Sequence, residues 1–317
     1  MIEMGFIQEK PLRMSGLHPM MQEITVTDAK PSVTNCRTLL QNLQQICLLH
    51  GQDTAHYKIL FQTIENAVAI LERDDEAFFL LFIEDAIPYM EKYRYEPGIS
   101  YLLQELKIML SNPNCGKITD RALLLDSTAL YEDTFHNKTE KAIKIEKDAL
   151  ALLPEVTAEN AHLASNLHAN LGGLYKRMKK FDLAKQHMEQ GMMLLEQYGL
   201  TYNNDTVVQA VNYAALLGDM GQAEQGLSAL EKCASVVKKY NSDQCLDYAA
   251  VQEATGYLCL MAGQIKLAEQ HFDVVRSIYR SFYAEEPERL TAKEDEIYQA
   301  FVQTGINIAK TISKRNK

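Results

Sequence analysis

The chain has 317 residues, with 42 acidic against 32 basic side chains and a formal charge of −10. That balance argues against nucleic acid, whose phosphates call for clustered Lys and Arg. A composition 47% hydrophobic and 23% charged, with 8 Pro and 15 Gly, describes a folded protein. Leu, Ala, Glu, Lys and Gln outweigh runs of Val, Ile and Thr, which favours an all-α fold.

Residues 1–31 carry Pro11, Pro19 and Pro31 and no sustained periodicity, so they read as a loose N-terminal tail. Helical spacing begins at Ser32. Leu39, Leu40, Leu43, Ile46 and Cys47 form one apolar stripe, and Gly51 is placed to end that helix. A second helix is expected over about 53–71. A third covers about 76–93, where Pro88 should kink or end it. Glu96-Pro97-Gly98 reads as a break, and a fourth helix runs to Leu110. A fifth over about 119–135 and a sixth over about 139–153 have Thr119 and Thr139 as expected N-caps. Together, residues 32–116 read as degenerate helix pairs.

From there a period of 42 residues is countable. Ala142, Ala184, Gly226 and Ala268 share one register, and Ala149, Gly191, Cys233 and Val275 share another. Asn137, Lys179, Gly221 and Gly263 recur in the turns between paired helices. Small residues at fixed places imply close helix crossings in stacked units, because one unit cannot bury its apolar face alone. The best copy lies within 167–195, where Leu171-Gly172-x-x-Tyr175 is followed by Ala184-x-x-x-Met188. The next copies read Tyr213-Ala214-x-x-Leu217 with Gly226-x-x-x-Leu230, and Thr255-Gly256-x-x-Cys259 with Ala268-x-x-x-Phe272. The first copy departs most, with polar Asp133 and Glu146 where an aromatic residue is usual.

These motifs resemble the tetratricopeptide (TPR) pattern, and the 42-residue period is similar to the kinesin light chain type of repeat. Rap-type bacterial peptide receptors are a more distant resemblance. The implied architecture is an all-α, right-handed α-solenoid of stacked antiparallel helix pairs, with four repeats over 117–284. Residues 285–317 then supply a C-terminal capping helix. Glu285-Glu286-Pro287-Glu288 interrupts the pattern, Thr291-Ala-Lys-Glu294 reads as a capping box, and Ile297, Phe301, Ile308 and Ile312 should cover the last unit. Self-association is the alternative job for that helix.

No sequence motif for catalysis stands out: no P-loop, no G-x-S-x-G, no H-E-x-x-H and no G-x-G-x-x-G. Gly172-Gly173 lies mid-helix and reads as close packing. His162, His168, His187 and His271 read as surface histidines, and the carboxylates as a scattered acidic surface. The basic clusters Lys176, Arg177, Lys179, Lys180 and Lys314, Arg315, Lys317 read as a solvated face and a frayed end. The six cysteines show no C-x-x-C and no zinc spacing, and the apolar run 77–83 is too short to span a bilayer. With no secretory signal at the N-terminus, a reducing cytoplasmic setting is expected.

The site the TPR resemblance implies is a concave groove lined by the first helix of each pair. Asn170 and Asn212 hold the same repeat position there, Asn166 lies one turn before Asn170, and Arg177 and Tyr257 also lie on first helices. An asparagine amide can pair with a ligand's main chain through both its donor and its acceptor. Bridging between adjacent helices is the alternative role for Asn170 and Asn212. The expected function is a non-enzymatic scaffold that binds a protein or peptide segment, without cofactor or metal, nucleic acid or membrane. The alternative is an intracellular peptide-sensing regulator of the Rap kind, or the sensor part of a larger signalling assembly.

Overall fold

The structure, a computed structural model, describes the backbone of residues 7–10, 14–17, 31–49, 57–200, 202 and 204–315, and the side chains of 31–47, 57–200, 202 and 205–305. The chain divides into two compact units, residues 1–137 and 138–317. The boundary falls inside the first of the four counted repeats.

In the first unit, β1 (Ile7–Lys10) and β2 (Met14–Leu17) pair antiparallel, with Ile7 opposite Leu17. This hairpin replaces the loose tail over those residues. Five helices follow: α1 (Arg37–Leu49), α2 (Tyr57–Ile70), α3 (Glu76–Lys92), α4 (Glu96–Leu110) and α5 (Ile118–His136). The expected helix end at Gly51 lies outside the described residues. Phe61, Phe79, Phe82, Ile83, Met90 and Leu102 are among the fully buried core side chains. Phe61 is ringed by Tyr57, Tyr89, Tyr93 and Tyr95, with centroids 5.0–5.8 Å away.

Local chemistry corrects several boundaries. α3 continues through Pro88 to Lys92. Pro88 is exposed, so the Glu84 carbonyl that loses its helical partner can face water. The break before α4 comes earlier than expected, at Arg94, which adopts φ 53°. Glu96 and Pro97 open α4, where a missing N–H is harmless. Thr119 and Thr139 lie inside their helices, not at the caps, which are Lys117 and Lys138. The Asp120 carboxylate accepts from the Lys117 amide at 2.6 Å, which satisfies the backbone donor of the cap residue itself.

The acidic surface also needs revision. Glu84 and Glu91 on α3 are mostly buried. Burial, then Asp120 and Asp85, push the Glu84 carboxyl up to about 8. Burial, then Asp126, push Glu91 up to about 7. Asp126 and Asp133 on α5 are buried as well.

The second unit contains α6 (Thr139–Ala151), α7 (Ala161–Arg177), α8 (Phe181–Gln197), α9 (Asn204–Asp219), α10 (Ala223–Tyr240), α11 (Leu246–Met261), α12 (Ile265–Phe282) and α13 (Pro287–Arg315). α7–α8, α9–α10 and α11–α12 form the packed pairs, and each pair stacks on the next. This is the all-α, TPR-like solenoid arrangement. Asn137, Lys179, Gly221 and Gly263 all adopt left-handed φ, between 54° and 75°. The turn register is therefore a repeated conformation that ends the helix before it. Ala142, Ala184 and Ala268 are wholly buried, and Gly226 in their register is buried. The Asp133 and Glu146 departures are buried too.

α13 covers α11 and α12. Ile297 is wholly buried, and Phe301 meets Phe272 edge-on at 5.6 Å. The Ile308 and Ile312 side chains lie outside the described ones. Because α13 begins at Pro287, Thr291 is internal and donates to the Pro287 carbonyl at 3.0 Å. Glu294 instead pairs with Arg276 at 2.8 Å, so the expected capping box is absent. All six cysteines are free thiols.

Two measurements check this packing. A Cβ at Gly172 would sit 2.4 Å from Met188 Cγ and 3.2 Å from the Ala184 carbonyl, whereas one at Gly173 meets nothing within 4 Å. Gly172→Ala should destabilise by about 1–3 kcal/mol through overpacking, and Gly173→Ala should stabilise by about 0.8–1 kcal/mol through helix propensity. Denaturant titration reads both. The raised carboxyls give a second test. Their stability contribution is full below the ordinary value near 4.5 and is lost as pH rises through about 7 and 8. Glu84→Gln should therefore raise the melting temperature at pH 8.5 and leave it nearly unchanged at pH 4.5.

Candidate functional site

The exposed face of the first helices is built by helical spacing. Asn166, Asn170, Gly173 and Arg177 fall along one side of α7, and Val208, Asn212, Ala215 and Asp219 hold the same repeat positions on α9. Asn212 and Arg177 are exposed and Asn170 is half-buried. The open space beyond Gly173 shows that this side of α7 is uncovered.

The floor of this face is a polar ladder from α7 to α9. Asp205 lies 2.7 Å from His162 Nε2 and accepts from the Asn166 amide at 3.3 Å. Gln209 Nε2 donates to Asn166 Oδ1 at 3.2 Å and to Ser165 Oγ at 3.0 Å. Ser165 Oγ in turn donates to the Gly191 carbonyl at 2.9 Å. Ser165 and Gln209 are buried, so these bonds satisfy groups that would otherwise be costly to bury. Lys176 and Asp219 add an ion pair at 3.0 Å further along. Asn166 thus bridges α7 and α9, while Asn212 remains exposed.

Tyr257 belongs to a different cluster. Its hydroxyl donates to Glu253 at 3.3 Å, and its ring meets Phe272 edge-on. Lys293 of α13 donates to both Glu253 oxygens, at 2.9 and 3.2 Å, and to Glu296 at 2.6 Å. Burial, then the Glu253 charge, push the Tyr257 phenol up to about 12. Burial opposes the Lys293 charge, yet its bonds to Glu296 and Glu253 hold it above the usual lysine range. The five sequence-derived residues therefore all lie on first helices, but they form no single contact set.

Sequence reasoning missed the histidine pair. His168 and His187 are half-buried, with Nδ1 atoms 3.0 Å apart, and the His187 ring stacks on Tyr175 at 5.4 Å. They are not surface groups. Burial and the neighbouring His187 push His168 down to about 4, and burial, then Lys147, lower His187. The signal was a separation of 19 residues, which joins a first helix to its partner and recurs in Gln252 and His271 at 2.6 Å. Among the described residues, no three His, Cys, Asp or Glu side chains gather as metal ligands, and no helix is long and apolar enough to cross a membrane.

Stacked helix pairs, left-handed turns every 42 residues and an uncovered first-helix face define a class, the helix-pair repeat solenoid. Residues 206–281 match the family model described as tetratricopeptide repeat, so the tetratricopeptide pattern is present over that stretch. Among solved structures, the TPR-like repeats of a Podosopora anserina protein described as a kinesin light chain align with a TM-score of 0.52 at 14% identity. That alignment covers 67% of this chain and 100% of the other. The apo form of RapI aligns with a TM-score of 0.52 at 16% identity, covering 86% of this chain and 75% of that one. At these identities the likeness is one of fold. No curated protein matches the sequence.

The histidine pair yields a pH test. A folded-state value below the ordinary 6.5 means that the unfolded chain binds more protons between about 4 and 6.5. Stability contributed by the neutral pair is present above 6.5 and is lost as pH falls toward 4. His168→Gln copies the Gln252–His271 arrangement and removes one titrating group. Its melting temperature should fall less steeply than the wild type's from pH 6.5 to 4.

Proposed function

We propose that the protein is a non-enzymatic scaffold that holds a protein or peptide segment along the first-helix face. Asn170, Arg177, Asn212 and Tyr257 supply contacts there, and Asn166 braces the floor. The observation that carries this reading is the uncovered stripe of α7 and α9, with open space beyond Gly173 and exposed Asn212 set over a hydrogen-bonded floor. The floor holds the two helices in register, so a ligand would meet a face already organised, which lowers the ordering cost of binding. Asparagine amides offer a ligand backbone one donor and one acceptor each. The Rap and kinesin-light-chain likenesses support a protein or peptide as the ligand class.

A cytoplasmic setting fits the six free thiols, which a reducing compartment maintains. The net charge of −10 makes nucleic acid a poor partner. The test is capture of partners from the native cell with wild type and with Asn170→Ala/Asn212→Ala. A partner retained by the wild type should be lost or weakened at least about tenfold in the double variant, a change of about 1.4 kcal/mol. Equal retention by both would remove these asparagines from the site.

A further inference from the structure

A cavity of ≈ 510 Å³ opens between α8, α9 and α10, within the range of ligand sites. Met192, Ala210, Tyr213, Leu217, Ala229 and Val236 line it. At about 3.6 residues per turn, Ala210, Tyr213 and Leu217 fall on the side of α9 opposite Val208, Asn212 and Ala215. This cleft therefore belongs to the second-helix side, away from the groove proposed above.

Its apolar lining is legible in the repeat. Ala210 and Ala229 occupy the positions that His168 and His187 hold one unit earlier and Gln252 and His271 hold one unit later. In those units ring and amide side chains meet across the helix pair at 3.0 and 2.6 Å. Here two methyl groups take their place, so the cleft wall at this point is apolar. The following unit has the equivalent cavity, ≈ 480 Å³, with Gln252 and His271 in its lining. Glu196 and Lys232 border the apolar cleft and are exposed. Among the described residues neither side chain has a hydrogen-bond or ionic partner.

We propose that this side of the second unit binds an extended segment of a partner protein through a bulky apolar anchor seated against Ala210 and Ala229. Charge complementarity sets its flanks: a basic residue before the anchor meets Glu196 on α8, and an acidic residue after it meets Lys232 on α10. Packed helices lie about 8–10 Å apart and an extended chain advances about 3.3 Å per residue. A side chain three residues beyond the anchor therefore reaches the next cleft, where the Gln252–His271 pair favours a hydrogen-bonding group. The recognised pattern is basic, apolar, acidic, any residue, polar.

The test uses fluorescence anisotropy with the full chain and a labelled peptide Lys-Phe-Glu-Ala-Asn, together with its reversed sequence, since either chain direction can present the pattern. One of the two should bind with Kd of about 1 mM or tighter. Ala229→Phe, which fills the cleft, should weaken binding at least about tenfold. Lys232→Glu should also weaken it, and Lys-Phe-Lys-Ala-Asn, or its reverse, should restore it. Lys232 is on the surface, so this charge swap remains decisive if Ala229→Phe fails to fold. Asn170→Ala/Asn212→Ala should leave this binding unchanged. Failure of both peptides to bind the folded wild type overturns the proposal, as does binding insensitive to Ala229→Phe and Lys232→Glu. Binding lost only in the asparagine variant also overturns it, and leaves the first-helix groove standing.

Discussion

Everything described for the second unit depends on how closely paired helices cross. Gly226 and its register-mates Ala142, Ala184 and Ala268 are buried, and a Cβ at Gly191 would come within 2.9 Å of the Ser165 carbonyl. Backbones this near leave no room for longer side chains, and interiors packed at crystal-like density do not yield easily. The crossing in turn fixes which side of each first helix remains uncovered. It also brings Ser165, Gly191 and Gln209 into one buried chain of hydrogen bonds. Function on this frame is a matter of which side chains occupy the remaining positions.

The repeat presents two faces with different chemistry. The first-helix face is polar, and its order comes from bonds between successive units, from His162 and Asp205 to Lys176 and Asp219. The second-helix face is a row of clefts whose contents change from unit to unit. An imidazole pair stands at one, two methyl groups line the next, and a glutamine–histidine pair lines the third. Uniform backbone with variable cleft filling is a physical route by which a solenoid acquires position-specific recognition. The Lys293 clasp on Glu253 and Glu296 closes the far end of the array together with Ile297 and Phe301.

The period was readable because close crossings admit few residue types, so Ala184 and Gly226 announce themselves. The left-handed turns were readable at Gly221 and Gly263 for the same kind of reason, although Lys179 holds that conformation without glycine's freedom. Helix starts were less legible. Thr119, Thr139 and Thr291 each had the right chemistry for a cap, but Thr139 is itself the first helical residue, the other two helices begin before their threonine, and Asp120 accepts from the Lys117 amide. The histidine pair was hidden because it joins two helices, and single-helix periodicity carries no information about the partner across a turn. Glu84 and Glu91 were hidden because a carboxylate's burial depends on what packs over it.

The most direct measurement is amide hydrogen exchange of the full chain with and without a partner captured from the native cell. The account predicts added protection in the second unit, concentrated in α7, α9 and α10, with the α7–α9 stripe or the α8–α10 cleft identifying the face in use. Protection confined to residues 57–137, with α7 through α12 unchanged, would contradict it and move recognition to the first unit.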